Sequence, residues 1–177
     1  MIVLDQLTFS KHKRCACIGC FDGIHIGHRE IISKAVEYSK DHGCLSMVYT
    51  FSPFKDSSLL LSLEDKINGI SNLGIDEYYC RQFTQEFANM SPEDFVLHLK
   101  DANVTCVVVG QDFTFGKGGR GNTDDLILLC NKHNMEAIVL PLVVRNGQKV
   151  SSTVIRDAMS QGDVERVKEL MGGIYGK

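Results

Sequence analysis

The sequence lacks most of the features that mark secreted, membrane or low-complexity proteins. It has 3 prolines in 177 residues, no Pro- or Ser-rich linker, no low-complexity tract and no internal repeat. Its apolar runs, such as Leu59–Leu61 and Val107–Val109, are far too short to span a bilayer. The first ten residues lack the basic stretch and the long apolar segment of a secretory signal. We therefore expect a cytoplasmic protein with no membrane partner.

An excess of positive charge is also missing. The chain carries 19 Lys and Arg against 22 Asp and Glu, and no run of basic residues stands out. This balance argues against binding to nucleic acid or to an anionic membrane surface. Hydrophobic residues make up 44% of the chain, which is ordinary for one globular domain with a real core. We expect small-molecule substrates as partners, and the sequence leaves the oligomeric state open.

The 7 cysteines favour reduced thiols over a disulfide framework, because their number is odd and no export signal precedes them. The cluster CACIGC at residues 15–20 invites a metal assignment. However, Cys15 and Cys17 alternate in an apolar run and would face the same side of a strand. No second Cys or His pair at zinc-finger spacing completes four ligands. We expect core packing of these thiols and no protein metal site.

Short apolar runs alternate with longer amphipathic stretches along the chain. Strands are predicted over Arg14–Gly19, Cys44–Phe51, Asp76–Cys80, Thr105–Gly110 and Glu136–Pro141. Helices are predicted over Gly27–His42, Leu63–Leu73, Ser91–Lys100 and Thr123–His133, and over two short stretches that meet near Gly162, the second ending at Gly172–Gly173. This order predicts an α/β fold with a parallel sheet and helices on both faces. Chemistry is then expected in the segments that follow the strands.

The first such segment is GCFDGIHIGH, residues 19–28, which leaves a strand and opens a helix at about Gly27. His25 and His28 are three residues apart and can face the same ligand, to which two imidazoles can donate hydrogen bonds. Gly27 permits close approach of the backbone, and free N–H groups at a helix start attract anions. Solvated helix surface or half of a metal site are the alternatives. We favour phosphate binding, with both histidines open to the ligand.

The second segment, VVVGQDFTFGKGGRGN at residues 107–122, combines Asp112 and Phe115 with a glycine-rich loop that holds Lys117 and Arg120. Aromatic faces beside a mobile basic loop suit a flat ring that carries a phosphate. A surface hairpin with core-facing phenylalanines explains the segment equally well, and the sequence leaves both interpretations open.

The third segment is KVSSTVIRDAM, residues 149–159. Its serines and threonine at a helix start can cap the helix and donate to phosphate oxygens. Arg156 lies one turn further on the same face of the helix, and its planar guanidinium can donate paired hydrogen bonds to phosphate oxygens. An ordinary cap and a solvated arginine would also produce this pattern, but the pairing with His25 and His28 favours the phosphate interpretation.

Together, GCFDGIHIGH and the downstream VSSTVIR resemble the HIGH-like and SSTxIR-like motifs of a nucleotidyltransferase superfamily. More specifically, the chain resembles the N-terminal FMN adenylyltransferase domain of bacterial bifunctional riboflavin kinase/FAD synthetases. The matching segments are TFSP (50–53), FTQEFANMSPEDFV (83–96), VVGQDFTFG (108–116) and SSTVIRDAMSQGDVERVKELMG (151–172). They occur in the family's order and cover essentially the whole chain. The second and third are the segments that point to FMN.

Three departures from the family pattern stand out. Phe54 and Lys55 follow TFSP where His-Pro is typical, and Cys20 replaces a bulkier or amide residue. The chain ends in LMGGIYGK, where an LLGRPY-like junction leads into the kinase half, and nothing resembles that half's PTAN motif. We therefore expect residues 1–177 to be a single FMN adenylyltransferase domain without a riboflavin kinase domain. Whether it is a natural single-function enzyme or an excised domain stays open.

The resemblance implies a Rossmann-like nucleotidyltransferase fold in which an FMN phosphate oxygen attacks the α-phosphorus of ATP, so that FAD forms and pyrophosphate leaves. It implies His25, His28 and Arg156 as catalytic residues that stabilise charge on the phosphates, with Mg²⁺ accompanying ATP. The implied ATP site is Gly19, Phe21, Asp22, Gly23, Gly27, Gly110, Lys149, Ser151, Ser152 and Thr153. The implied FMN site is Phe51, Pro53, Asp112, Phe115, Lys117 and Arg120.

Two other functions compete with this one. A cytidylyltransferase or a pantetheine-phosphate adenylyltransferase would share the HIGH-like and SSTxIR-like motifs, but not the FxxEFAxxSPEDF segment. A non-catalytic flavin- or nucleotide-binding module would be marked by loss of His25, His28 or Arg156, and all three are present.

Overall fold

A six-stranded parallel sheet forms the centre of the computed structural model, which describes residues 1–52 and 59–172. The strands are β1 (Ile2–Leu4), β2 (Arg14–Ile18), β3 (Leu45–Phe51), β4 (Glu77–Arg81), β5 (Val104–Gly110) and β6 (Glu136–Leu140). Their spatial order is β1-β4-β3-β2-β5-β6, and each neighbouring pair is parallel. From β2 the chain builds the sheet first towards β3 and β4, then on the other side through β5 and β6. The switch point therefore lies between β2 and β5.

Seven α-helices accompany this sheet in the described residues. They are α1 (Ile26–His42), α2 (Leu63–Ser71), α3 (Gln85–Ala88), α4 (Pro92–Asp101), α5 (Thr123–Lys132), α6 (Ser152–Ser160) and α7 (Val164–Met171). A short 3₁₀ turn covers Lys117–Gly119, and a hairpin pairs β7 (Val144–Arg145) with β8 (Gln148–Lys149). The side chain of Ser91 accepts a hydrogen bond from the backbone N–H of Asp94 and so caps α4. Pro92 is the first residue of the helix, a position that proline favours.

Successive side chains along the strands point alternately into two hydrophobic cores, one on each face of the sheet. Cys15 and Cys17 are fully buried on the face covered by α1 and α2, and they pack with Ile32 and Ile70. Ala16 and neighbouring apolar residues face the opposite core, which α4 and α5 cover. The predicted α/β class with helices on both faces is therefore confirmed. Core packing of Cys15 and Cys17 is confirmed too, and burial raises the pKa of the Cys17 thiol.

All five predicted strands and six predicted helices are present, with ends that differ by one or two residues. The sequence did not reveal β1, α3 or the β7–β8 hairpin, because each is too short to show a periodic pattern. The second short C-terminal helix ends at Gly172 as expected, whereas Gly173 lies outside the described residues. None of the helices in the described part of the chain has the length and apolar content needed to cross a bilayer.

Candidate active site

A cleft of about 530 Å³ opens at the switch point of the sheet, where ligands bind in folds of this kind. Residues at the carboxyl ends of β2, β3, β5 and β6 line it, together with the start of α1 and the segment that leads into α6. One end of the cleft, which we call the imidazole end, contains His25, His28, Lys149, Ser151 and Ser152. The other, the aromatic end, contains Phe51, Phe83, Phe87, Phe95 and Phe115.

The turn that carries the HIGH-like motif is strained. Phe21 and Ile24 have φ angles of 49° and 44°, in the left-handed region that side chains rarely adopt, and Gly23 between them has a φ of 89°. A β-branched residue such as Ile24 is especially costly there, so the surrounding contacts must hold it. One of them is Arg29, whose Nε donates to the Ile24 carbonyl oxygen at 3.3 Å. Strain of this kind is typical of ligand-binding turns.

Asp22 connects this turn to two distant segments. Its Oδ1 accepts the backbone N–H of Leu60 at 2.9 Å, and its Oδ2 pairs with the guanidinium of Arg156. Its carbonyl oxygen accepts the hydroxyl of Ser152 at 2.7 Å. The start of α6 is thus fastened to the HIGH-like turn through one residue. Arg156 and Ser152, both expected to hold phosphates, are both in contact with Asp22 in this structure.

His25 and His28 lie against each other at the start of α1. Their rings stack with centroids 3.6 Å apart, and Phe21 meets the His28 ring edge-on at 5.3 Å. The Nδ1 of His25 accepts the backbone N–H of His28 at 3.2 Å and so caps the helix. A methyl group on Gly27 would come within 3.3 Å of that Nδ1, so glycine there leaves room for the cap. The expected proximity of the two histidines is confirmed.

Both histidines are neutral at physiological pH. Burial lowers the pKa of His25 to about 4, against the opposing effect of Asp112 and Asp22. Burial, then His25 and Lys66, hold the pKa of His28 well below its usual range. Because Nδ1 of His25 accepts a hydrogen bond, its proton must reside on Nε2. The Nδ1 of His28 is buried and has no partner among the described residues. The pair therefore has hydrogen-bonding capacity left for a ligand.

The contacts around His25 correct one expectation. His25 lines the cleft, but it is only 6% exposed and serves as the N-cap of α1, so it is not simply open to the ligand. Its replacement by alanine should therefore lower stability as well as alter ligand binding, because losing a cap costs about 1 kcal/mol. The spacing of the two histidines showed that they share a face, and gave no sign that one would cap the other.

Lys149 and Asp112 meet across the middle of the cleft. The Lys149 Nζ and an Asp112 carboxylate oxygen are 2.5 Å apart, and both side chains are partly exposed. Lys149 was assigned to ATP and Asp112 to FMN, so the ion pair joins the two predicted sites. Ser151 caps α6 by accepting the N–H of Val154 at 3.4 Å, which confirms the capping part of its prediction.

The aromatic end gathers side chains from several elements into one wall. Phe87 contacts Phe51, Phe83 and Phe95 with ring centroids 5.6, 5.6 and 6.1 Å apart, and Phe95 contacts Phe115 at 5.6 Å. The guanidinium of Arg81 lies over the Phe87 ring at 5.3 Å. Phe115 is 6% exposed and pairs with Gly121 across a small antiparallel bridge. Phe115 therefore belongs to the core, as a hairpin with core-facing phenylalanines predicts, and it also lines the cleft. Binding of a flat ring by this segment stays a prediction.

The cleft collects most, but not all, of the predicted site residues. Those that line it are Gly19, Phe21, His25, Gly27, His28, Phe51, Gly110, Asp112, Phe115, Lys149, Ser151 and Ser152. Those that the structure does not place on its wall are Asp22, Gly23, Lys117, Arg120, Thr153 and Arg156. Pro53, like Phe54 and Lys55, lies outside the described residues. The roles of all these residues towards ATP and FMN stay predictions.

Sequence reasoning missed several wall residues. Phe83, Phe87, Met90 and Phe95 line the cleft and come from the FxxEFAxxSPEDF segment, which points to the family but contains no predicted site residue. Its spacing places Phe83 before α3, Phe87 at the third position of that helix and Phe95 within α4. The break between α3 and α4, at Asn89–Ser91, brings these rings together. In the sequence, the only indication of a shared aromatic wall is the repetition of phenylalanine in this segment.

The fold and the site define an α/β protein with a cleft at the switch point of its parallel sheet and a HIGH-like turn on the wall of that cleft. A sequence model of the FAD synthetase family matches residues 8–154. The chain belongs to the FAD synthetase family. It is 33% identical to a FAD synthetase of Listeria monocytogenes over 178 residues, covering 94% of this chain and 72% of that protein. It is also 33% identical to the bifunctional riboflavin kinase/FMN adenylyltransferase of the same organism, covering 92% of this chain and 55% of the relative.

Solved structures agree on the fold. A crystal structure from Streptococcus pneumoniae, described as a macrolide-efflux protein, matches with a TM-score of 0.83 and 25% identity over 99% of this chain and 64% of that one. Thermotoga maritima TmcAL bound with alpha-thio ATP matches with a TM-score of 0.56 and 16% identity, covering 89% of this chain and 52% of that one. The second likeness shows the fold alone. The chain thus spans about half to two thirds of the length of several proteins that it resembles.

Proposed function

We propose that this chain is an FMN adenylyltransferase, which transfers the adenylyl group of ATP to the phosphate of FMN and releases pyrophosphate. Membership of the FAD synthetase family supports the class of reaction. The observation that carries the proposal is the arrangement of the cleft. A neutral histidine pair with unused hydrogen-bonding capacity lies at a helix start at one end, and an aromatic wall suited to a flat ring lies at the other.

The imidazole end would bind the triphosphate. The start of α1 offers the positive end of a helix dipole and its first backbone N–H groups, among which that of His28 already donates to His25. His25 and His28 would donate hydrogen bonds to oxygens of the α- and β-phosphates as negative charge grows there. Because both imidazoles are neutral, they would act as hydrogen-bond donors and not as counter-charges. The positive charges would come from Lys149 and Arg156, which would exchange Asp112 and Asp22 for phosphate oxygens.

The aromatic end would hold the isoalloxazine ring of FMN. Phe83 is 39% exposed, so a bound ring could cover part of its surface, whereas Phe87 is 8% exposed and forms a buried part of the wall. Chemistry of this type depends on alignment of the attacking oxygen with the phosphorus more than on covalent help from the protein. Placing the two substrates at opposite ends of one cleft would supply that alignment.

Mg²⁺ would enter with the nucleotide. Within residues 1–52 and 59–172, no group of three or more His, Cys, Asp or Glu side chains could hold a metal ion. The nearby carboxylates of Asp22 and Asp112 are already paired with Arg156 and Lys149. These residues fit a cation that keeps several waters and is held by phosphate oxygens. Such an ion would neutralise charge on the leaving pyrophosphate.

Product analysis of the purified 177-residue chain tests the proposal. With ATP, Mg²⁺ and FMN it should form FAD and pyrophosphate in equal amounts, detected by chromatography and a coupled phosphate assay. CTP with glycerol phosphate, and ATP with phosphopantetheine, should give no pyrophosphate above background. Pyrophosphate release with either of these pairs and none with FMN would show that the acceptor is wrong. The expectation that riboflavin is left unphosphorylated by these residues is checked in the same assay.

A further inference from the structure

Lys66 of α2 contacts the segment that begins the HIGH-like turn through the backbone carbonyl of Cys20. Its Nζ donates to the Cys20 carbonyl oxygen at 2.6 Å and to the Thr50 Oγ1 at 3.0 Å. The Thr50 hydroxyl donates in turn to the same carbonyl at 3.0 Å. Nothing in the sequence of α2 distinguishes this lysine from an ordinary surface residue of an amphipathic helix. In the fold, its ammonium closes a three-membered network at the carboxyl ends of β2 and β3.

This network acts on the strained part of the turn. Cys20 lines the cleft and directly precedes Phe21, whose φ of 49° needs support from its surroundings. The described chain has no cis peptide bond, so the N–H of Phe21 points opposite to the Cys20 carbonyl. A carbonyl held towards Lys66 and Thr50 therefore fixes the direction of that N–H. Losing the anchor would let this peptide rotate and release Phe21, whose ring packs on His28 at 5.3 Å.

The charge of Lys66 also reaches the imidazole end. Burial lowers the pKa of Lys66, while Cys80, Cys20 and Asp22 act in the opposite direction. The ammonium in turn contributes to the low pKa of His28, after burial and His25. It is thus a cation beside the phosphate turn that the family motifs do not include. Its positive potential disfavours protonation of His28, and the same potential attracts an anion that approaches the turn.

We propose that Lys66 is a positioning residue for adenylyl transfer, which holds the Cys20–Phe21 peptide and adds positive potential where the triphosphate binds. This inference rests on the proposed function for its reaction but concerns a residue that the function did not use. Lys66 supports the turn through a backbone carbonyl and does not touch the reacting atoms. Its substitution should therefore weaken both ATP binding and turnover, whereas FMN binding at the aromatic end should change little.

Three variants of the full chain separate charge from hydrogen bonding. Lys66→Met removes both, and Lys66→Arg keeps the charge and the donors. Thr50→Val keeps the charge but removes the second donor to the Cys20 carbonyl and the hydroxyl oxygen that accepts from Lys66. Lys66→Met should lower kcat/KM for ATP by about 10- to 100-fold, as expected for loss of a hydrogen bond from a charged group. Lys66→Arg should recover most of that loss, and Thr50→Val should lose less than Lys66→Met. Lys100→Met, at an exposed lysine of α4, is the matched control.

Calorimetric titration with a non-hydrolysable ATP analogue, together with thermal melts, makes the outcome independent of the acceptor. If the wild-type chain binds the analogue but makes no FAD, the proposed reaction is wrong, and the affinity of Lys66→Met still tests the inference. A Lys66→Met variant that stays within twofold of Lys100→Met in ATP affinity and turnover would overturn it. The inference would also be overturned if Lys66→Met and Lys66→Arg lost ATP affinity and turnover equally and showed the same fall in Tm. The lysine would then have only a structural role.

Discussion

The two ends of the cleft are built in different ways. The imidazole end is set mainly by one continuous turn, residues 19–28, whose strained backbone is held by Asp22, Arg29 and Lys66. The aromatic end gathers Phe51, Phe83, Phe87, Phe95 and Phe115 from β3, the segment before α3, α3 itself, α4 and the segment after β5. An anion site at a helix start uses adjacent backbone N–H groups, so the part of the imidazole end that lies on α1 is contiguous in the chain, whereas Lys149, Ser151 and Ser152 reach it from the segment before α6. A flat ring needs only apolar surface, which distant elements can share.

The strongest test of this comparison is His28→Ala. If His28 stabilises charge that develops on the α-phosphate, kcat should fall by about 100- to 1,000-fold while ATP affinity changes far less. Steady-state kinetics and analogue titration measure the two effects separately. His12→Ala, at an exposed histidine before β2, is the control. A folded His28→Ala variant with normal kcat would remove this residue from the chemistry.

The buried histidines should also make stability depend on pH. The pKa of His25 is about 4 in the folded chain and near 6.5 when exposed. Between these values only the unfolded chain takes up the proton, so the free energy of unfolding should fall as pH drops from 6.5 to about 4, by about 3 kcal/mol. His25→Asn keeps a capping oxygen without a titratable ring, so its loss over this window should be smaller. Urea unfolding of the wild-type chain and of His25→Asn at several pH values measures this difference. Identical pH profiles for the two proteins would show that His25 is not the source of the pH dependence.

A smaller effect is expected at the aromatic end. Phe83→Ala should raise KM for FMN by about 3- to 10-fold, the loss expected for one aromatic contact, and leave KM for ATP nearly unchanged. Because Phe83 is 39% exposed, the melting temperature should change little. Phe9→Ala removes an exposed ring that is not on the cleft wall and serves as the control. Equal changes in KM for both substrates would show that the two ends do not divide the substrates.

The smallest effect should come from Arg120→Ala. Arg120 is exposed and is not placed on the cleft wall, so its contribution depends on movement of its loop towards FMN. An exposed charge contributes about 0–1 kcal/mol, so KM for FMN should rise no more than about 5-fold. The rise should shrink at high salt, which screens such charges. An equal rise in KM for ATP, or no change at either substrate, would mean that the loop does not recognise the flavin phosphate.

The sequence by itself determined the α/β class, the order of the main strands and helices, and the turn that holds His25 and His28. These follow from local rules: buried parallel strands are apolar throughout, helices carry capping residues, and a helix start with two histidines three residues apart must bring them together. The alternation of Cys15 and Cys17 likewise placed both thiols on one face of the sheet.

Only the tertiary structure decided how distant segments complete the site. It alone paired Asp22 with Arg156, joined Lys149 to Asp112, and brought the Lys66 ammonium to the Cys20 carbonyl. It alone assembled the aromatic end from rings that lie far apart in the chain. Such contacts depend on which strands become neighbours at the switch point, and no local pattern encodes that choice. The burial that keeps both histidines neutral is decided in the same way, because desolvation depends on everything packed around a side chain.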